Sequence, residues 1–360
     1  MKTIKDGYEE ALQEITKHKE IIVLGTRTNK FAKEHPNKFV KISSEQNIMG
    51  IATGMAMEGK IPFANTCPTA GKNWDQTKAI CQENTNIKIA DENNDIAILR
   101  TQPNIIIISP ADYYEAKKAT IAAATIKAPV YIKLATEKEH ATNKKTPFTL
   151  GRVEIMRAGK DCTIIATGTA VQEAIKAAEK LSKQEIECTV LNCHTIQPID
   201  KHAILSSARL TGCIVTAEEH TTGGLGSATA EILSQNLSVP LKISHKETSS
   251  IIKAVKETIL RKIENICTEI PEEHGKMMFK EISPELHFRL HGGGIIKSIP
   301  GLQKALLNMS EETFIHHCNT HRNDFSKWIK EVFNETTLSN KIEKTHTKMG
   351  MILAIQKWIR

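Results

Sequence analysis

Residues 39–65, FVKISSEQNIMGIATGMAMEGKIPFAN, constrain the fold more than any other stretch of the chain. The short apolar run Phe39–Ile42 leads into Ser-Glu-Gln-Asn, a composition suited to a helix start. Residues Gln46–Glu58 then have helical length and an apolar side, Gly59-Lys60 closes them, and Ile61–Asn65 is a second apolar run. A strand, a helix and a strand in this order form a crossover unit, and such units build parallel sheets. Glu45 stands at the strand-to-helix turn, the edge at which α/β proteins present groups to ligands. The plain alternative is that Glu45 only complements the helix dipole.

The same alternation continues on both sides. Expected strands of the first series are Ile21–Gly25, Phe39–Ile42, Ile61–Asn65, Ile87–Ile89, Ile105–Ser109 and Val130–Leu134, with helices over Gln46–Glu58, Trp74–Gln82 and Tyr113–Ala124. IIIIS and VYIKL are continuous apolar runs rich in branched residues, as expected of strands covered on both faces. Asp112 offers a capping carboxylate to the helix that follows Pro110. The polar stretch TEKEHATNKKTP, residues 136–147, reads as a linker. A second series follows, with strands Gly151–Arg157, Cys162–Thr167, Glu187–Asn192, Cys213–Thr216 and Leu241–Ser244, and helices near 171–183, 200–210, 224–235 and 249–266. Beyond residue 275 the alternation stops. Amphipathic helices are expected at Gly301–Asn308, Glu311–His317, Asp324–Phe333 and Thr337–Ile359. The fold class is therefore α/β: two consecutive doubly wound, mainly parallel-sheet domains, 1–138 and 148–268, followed by a small, mainly helical domain, 279–360.

Composition narrows the function classes. With 360 residues, 40% apolar and 25% charged, the chain has an ordinary globular balance. Aromatics are only 4%, so the cores must be aliphatic. No apolar run is long enough to cross a bilayer, and the amphipathic start MKTIKDGYEEALQEI is unlike a signal peptide. A formal charge of +7 without a basic, aromatic-rich segment argues against nucleic acid as a partner. The eight cysteines contain no Cys-x-x-Cys and lie in or beside apolar segments, as buried thiols of a cytoplasmic protein do.

The first two units resemble the C-terminal half of transketolase-like thiamine diphosphate enzymes. The resemblance rests on ISSEQNIMGIATGMAMEGKIPF (42–63), AILRTQPNIIIISPAD (97–112), APVYIKL (128–134), GKDCTIIATGTAVQEAIKAAEKL (159–181), LNCHTIQPID (191–200) and IVTAEEHTTGGLGSATAEIL (214–233). It implies a pyrimidine-binding domain followed by a transketolase C-terminal domain. It implies that Glu45 meets N1′ of the cofactor's aminopyrimidine and activates it, and that Thr66 and Cys67 stand at the same ring. The implied cofactor is thiamine diphosphate with Mg²⁺, shared with a partner subunit. The implied assembly is a homodimer, joined by a transketolase N-terminal-section subunit. The implied reaction is ketol transfer between sugar phosphates; deoxyxylulose-phosphate synthase and the 2-oxoacid dehydrogenase beta subunits are the related alternatives.

The chain departs from the family pattern in four places. Cys67 and Ala70 stand where aromatic side chains are expected, so ring stacking on the pyrimidine, worth about 1 kcal/mol beyond burial, is missing. Trp74 reads as packing for the next helix. The glycine- and histidine-rich loop expected after the strand ending near Ile89 is absent, and no histidine lies between His35 and His140. Where the family often has Leu-x-Arg, whose guanidinium can grip a sugar phosphate, the strand YIKL continues as Leu134-Ala135-Thr136; Lys133 is one step off and points to the opposite face if the strand continues, and the loop after Leu24 is short. The family's Gly-Asp-Gly diphosphate and magnesium motif does not occur in this chain. The competing reading is a catalytically degenerate binding or regulatory subunit that keeps the fold and the dimer surface.

Other motifs carry bland readings. Gly223-Gly-Leu-Gly226 opens a helix and could face an anion, but tight packing is the simpler role. His194 and His220 read as structural. His291-Gly-Gly-Gly294 is a bend without a nucleophile elbow to serve. His316, His317, Cys318 and His321 are dense enough to suggest a metal, but they lack a carboxylate in a recognised zinc motif, and no metal site is assigned. Residues 288–333 resemble a small uncharacterised archaeal domain with an accessory role.

Overall fold

The computed structural model describes residues 2–18, 20–26, 30–93, 95–138, 140–219, 222–269, 282–319 and 321–359. In the first series α1 (Ile4–Ile15), β1 (Ile21–Gly25), α2 (Lys30–Glu34), β2 (Phe39–Lys41), α3 (Glu45–Met57), β3 (Ile61–Asn65), α4 (Asn73–Gln82), β4 (Lys88–Asp91), α5 (Ile96–Leu99), β5 (Ile106–Ile108), α6 (Tyr113–Thr125) and β6 (Val130–Lys133) alternate as expected. The second series contains β7 (Glu154–Arg157), β8 (Cys162–Ala166), α7 (Ala170–Ser182), β9 (Cys188–Asn192), β10 (Thr195–Gln197), α8 (Lys201–Thr211), β11 (Ile214–Glu218), α9 (Leu225–Asn236), β12 (Leu241–His245) and α10 (Thr248–Glu269).

The first sheet has the order β10-β5-β6-β4-β3-β1-β2 and is parallel except for β10 against β5. The second has the order β12-β11-β8-β9-β7 and is parallel except for β7 against β9. This is the expected α/β class. The strand β10 is new: TIQ follows β9 closely, leaves its own sheet and pairs with β5 of the first. Its three residues are too few for a periodic signal.

Alternation along each strand explains the burial. Val23, Phe63, Ile108 and Ile132 face a cluster closed by α1 and α6 through Tyr8, Leu12, Ala116 and Ala119. Leu24, Ala64, Ile89, Ile107 and Tyr131 face the opposite cluster, closed by Ile48, Met49 and Ala52 of α3, Ile80 of α4 and Ile96 of α5. A strand with both faces covered must be apolar throughout. The two covering helices α1 and α6 approach closely because Gly7 has no side chain; a Cβ there would lie 2.2 Å from the Tyr113 carbonyl oxygen. Thr3 and Asp6 start α1 with a reciprocal capping box. Asp112 caps α6 as expected, accepting from the Glu115 amide at 3.0 Å, and also holds the linker by accepting from the Thr142 hydroxyl at 2.7 Å.

The C-terminal unit, which also contains residues 179–187, is distinct by contacts from residues 1–178 and 188–258. It contains the hairpins β13 (Phe288–Arg289) with β14 (Ile295–Ile296) and β15 (Cys318–Asn319) with β16 (Arg322–Asn323). Its helices are α11 (Ile299–Asn308), α12 (Glu311–His317), α13 (Asp324–Phe333), α14 (Thr336–Glu343) and α15 (Lys348–Ile359). The single helix expected over 337–359 is two. The Thr345 hydroxyl donates back to the Lys341 carbonyl at 2.8 Å, and the Thr347 hydroxyl accepts from the Gly350 amide at 3.0 Å, so local bonds end one helix and start the next.

Glu115 of α6 joins the two α/β sheets. Its carboxyl is fully buried and accepts from the Ala111 amide at 2.6 Å and from Asn192 Nδ2 of β9 at 2.8 Å. Burial, with the Asp112 charge adding to it, pushes the carboxyl up to about 8 against the two hydrogen bonds and the Lys118 charge. The native state therefore holds a proton that the unfolded chain releases near pH 4.5. Stability should fall as pH rises from about 4.5 to about 8, by ~1.4 kcal/mol per pKa unit of the shift, and level off above it. Urea unfolding across this range should show the slope in the natural chain and a flatter profile in Glu115→Gln.

Candidate functional site

The carboxyl ends of β1, β2, β3 and β4 lie along one edge of the first sheet. The parallel registers Gly25↔Lys41, Gly25↔Asn65 and Asn65↔Ala90 bring these strand ends level. Every sequence-derived site residue of the first unit leaves the sheet at this edge. Glu45 is the first residue of α3; Ser44 before it makes no side-chain cap. The Glu45 side chain is exposed and has no hydrogen-bond or ion-pair partner among the described residues. Its carboxylate is thus held at a helix start, where the dipole favours negative charge, and is free to take a partner.

Thr66 and Cys67 follow β3. Thr66 is buried, 4% exposed, and its hydroxyl oxygen accepts from Asn73 Nδ2 at 3.3 Å. The same Nδ2 donates to the Cys67 carbonyl at 2.8 Å, so the amide at the start of α4 fixes the loop. Thr77 adds a bond to the Pro68 carbonyl at 2.8 Å. From the opposite side, the buried Tyr8 hydroxyl of α1 donates to Asn65 Oδ1 at 2.6 Å. Cys67 is half-buried and its Sγ lies 3.4 Å from Asp95 Oδ2, while the Thr69 hydroxyl donates to Asp95 Oδ1 at 2.7 Å. Asp91 and Asp95 escaped the sequence reading. IKIADENNDIAILR reads there only as a short strand-to-helix link, and nothing in it signals that both carboxylates meet Cys67.

Trp74 is half-buried against the α3 and α4 core with the Lys78 ammonium 5.9 Å from its ring centre, a packing role. Lys133 does not project from the edge as a free cation: it donates to the Glu92 carbonyl at 2.9 Å and pairs with Glu219 at 3.4 Å.

The remaining candidates have structural surroundings, although the buried Nε2 of His194 has no hydrogen-bond partner among the described residues. His194 is fully buried, its Nδ1 is 2.8 Å from the Thr195 hydroxyl, the Phe148 ring lies 4.3 Å away, and burial pulls it down to about 4, so it stays neutral. His220 lies outside the described residues. In the C-terminal unit His317 Nε2 accepts from the His291 amide at 2.9 Å, which places its proton on Nδ1, 3.0 Å from Asp324 Oδ2. Both ring nitrogens are engaged, and His316, His317, Cys318 and His321 do not converge on a metal position.

At Gly223–Gly226 the helix start is filled by the chain itself. Glu218 at the end of β11 accepts from the Leu225 and Gly226 amides at 2.8 and 2.7 Å. Arg100 of the first series donates to the Gly223 carbonyl at 2.7 Å. Packing is therefore the role of this loop. A Cβ on Gly224 would lie 2.0 Å from the Glu218 carboxylate. Gly224→Ala should displace that carboxylate from its two amides and cost about 1–3 kcal/mol in chemical unfolding.

Comparison with known proteins places this architecture. Solved transketolases share the fold even at low identity: the enzyme of Leishmania mexicana aligns with a TM-score of 0.57 at 16% identity, over 72% of this chain and 46% of that one. A structure described as a split-gene transketolase, inactive beta4 tetramer, aligns with a TM-score of 0.69 at 32% identity, over 72% of this chain and 98% of that one. Residues 151–256 match the family of transketolase C-terminal domains. The putative transketolase C-terminal section of Methanocaldococcus jannaschii is 34% identical over 265 residues, 65% of this chain and 83% of the relative. The 6-deoxy-6-sulfo-D-fructose transketolase subunit SqwH of Clostridium sp. is 33% identical over 267 residues, 66% of this chain and 83% of the relative. The chain belongs to the transketolase C-terminal-section family.

Proposed function

We propose that this chain is the C-terminal-section subunit of a two-chain transketolase, transferring a ketol unit between sugar phosphates with thiamine diphosphate. The observation that carries the reading is the coverage: the chain spans 83% of C-terminal-section relatives named as transketolase sections or subunits. In this reading residues 1–138 are a pyrimidine-binding domain, 148–268 the C-terminal domain, and 279–360 an archaeal-type accessory domain. The seven free cysteines among the described residues support a cytoplasmic location. Among the described residues no helix is long and apolar enough to cross a membrane.

In this reading Glu45, Thr66 and Cys67 would serve the pyrimidine end of the cofactor. Glu45 is exposed and has no partner among the described residues, at the edge where Thr66 and Cys67 emerge. When bound, thiamine diphosphate supplies the nucleophilic carbon that carries the ketol unit. Glu45 would hold a proton at the ring nitrogen N1′, and Thr66 and Cys67 would border the same ring. The diphosphate and magnesium end needs a donor set absent from this sequence, which supports a transketolase N-terminal-section partner. Ile51 and Met57 of α3, 40% and 80% exposed, support association with a second copy beside Glu45.

The second reading is a non-catalytic subunit that keeps the fold. It is favoured by the short link between β4 and α5, where Asp91 and Asp95 pack beside Cys67 and no histidine is present.

The test is reconstitution. The chain is mixed with Mg²⁺, thiamine diphosphate and an N-terminal-section subunit of the same source, and ketol transfer is measured. Transfer that falls at least 100-fold in Glu45→Ala, about 2.7 kcal/mol in the barrier, is the expected result. Absence of both cofactor binding and transfer in the assembled complex would instead establish the non-catalytic reading.

A further inference from the structure

The short link between β4 and α5 has a chemical consequence. Asp91 ends the strand and Asp95 precedes the helix, so few residues separate the two carboxylates. The neighbouring strand β3 delivers Cys67 to the same place. Cys67 Sγ and one carboxylate oxygen each from Asp91 and Asp95 lie within 4.8 Å of one another. The Cys67 Sγ to Asp95 Oδ2 distance is 3.4 Å. Sulfur and oxygen ligands on a tetrahedral first-row ion stand roughly 3.4–3.6 Å apart, from bond lengths of about 2.3 and 2.1 Å.

Two further observations point to a cation. Neither Asp91 nor Asp95 has a lysine or arginine ion-pair partner among the described residues. Among the described residues the pair is therefore short of positive charge. Against the Cys67 backbone stands the Asn73 amide, only 2% exposed, whose Nδ2 donates to the Cys67 carbonyl and whose Oδ1 has no hydrogen-bond partner among the described residues. A buried carbonyl oxygen without a donor is costly, and a cation or its bound water relieves it.

We propose that Cys67, Asp91 and Asp95 form a binding site for a divalent transition-metal ion of the zinc or cobalt type. The thiol selects against Mg²⁺ and Ca²⁺, which prefer oxygen donors. Three protein ligands leave one position open, as in sites that accept water or a substrate oxygen. Binding forms the sulfur–metal bond and releases the Cys67 thiol proton to solvent, so affinity rises with pH. The site shares Cys67 with the proposed pyrimidine pocket, but it is tested without thiamine diphosphate or a partner chain.

The full reduced chain is titrated with Co²⁺ and followed by absorption. A saturable thiolate-to-cobalt charge-transfer band at one equivalent is expected, absent in Cys67→Ser and shifted at least tenfold to higher Co²⁺ in Asp91→Asn. No band, or an equal band in Cys67→Ser, would overturn the site. A second measurement needs no variant: Zn²⁺ should slow alkylation of Cys67 at least tenfold in the native chain, read by peptide mass. Unchanged alkylation at saturating Zn²⁺ would also overturn it. Either failure leaves the ketol-transfer reading standing, and failure of reconstituted transfer leaves the metal site standing.

Discussion

The parallel register of β3 with its neighbours is the constraint on which this molecule depends. Phe63 stands opposite Lys88, Ala64 opposite Ile89 and Asn65 opposite Ala90. A slip by one residue would exchange Phe63 and Ala64 between two differently shaped cores. Phe63 belongs to the cluster under α1 and α6, and Ala64 to the one under α3 and α4. Because both clusters are closed, the register is fixed, and with it the level at which Glu45, Thr66, Cys67 and Asp91 leave the sheet.

That edge divides into two environments. Around Thr66 and Cys67 the loop is bound on several sides, by Asn73, Thr77 and Asp95. At Glu45 the chain offers a carboxylate with no hydrogen-bond or ion-pair partner among the described residues. Curated relatives of this chain are named as sections and subunits of transketolase. The Gly223–Gly226 loop shows the opposite case, where Glu218 already occupies the helix start.

Much of this was legible in the sequence. The first-series strands were readable because both faces are buried and the runs are continuously apolar, as in IIIIS and VYIKL. The capping role of Asp112 followed from its place ahead of a helix. Short elements were not legible. The strand TIQ of β10 has no pattern of its own and forms only because β5 offers an unpaired edge. The break between α14 and α15 was hidden because LSNKIEKTHTKMGMILAI keeps an apolar rhythm, while hydroxyl-to-backbone bonds at Thr345 and Thr347 redirect the chain. Thr66 and Cys67 could be placed beside a ligand edge, but their partners could not, since Asn73 and Asp95 reach them through folding.

The sequence by itself determined the α/β class, the order of the crossover units and the position of Glu45 at a helix start, because these follow from local periodicity and composition. Tertiary structure alone decided that Asp91 and Asp95 gather at Cys67 and that Glu115 is sealed against Asn192. It also decided that His317 is locked between the His291 amide and Asp324. Each of these depends on strand register or helix packing between segments far apart in the chain, and local sequence contains no measure of that distance.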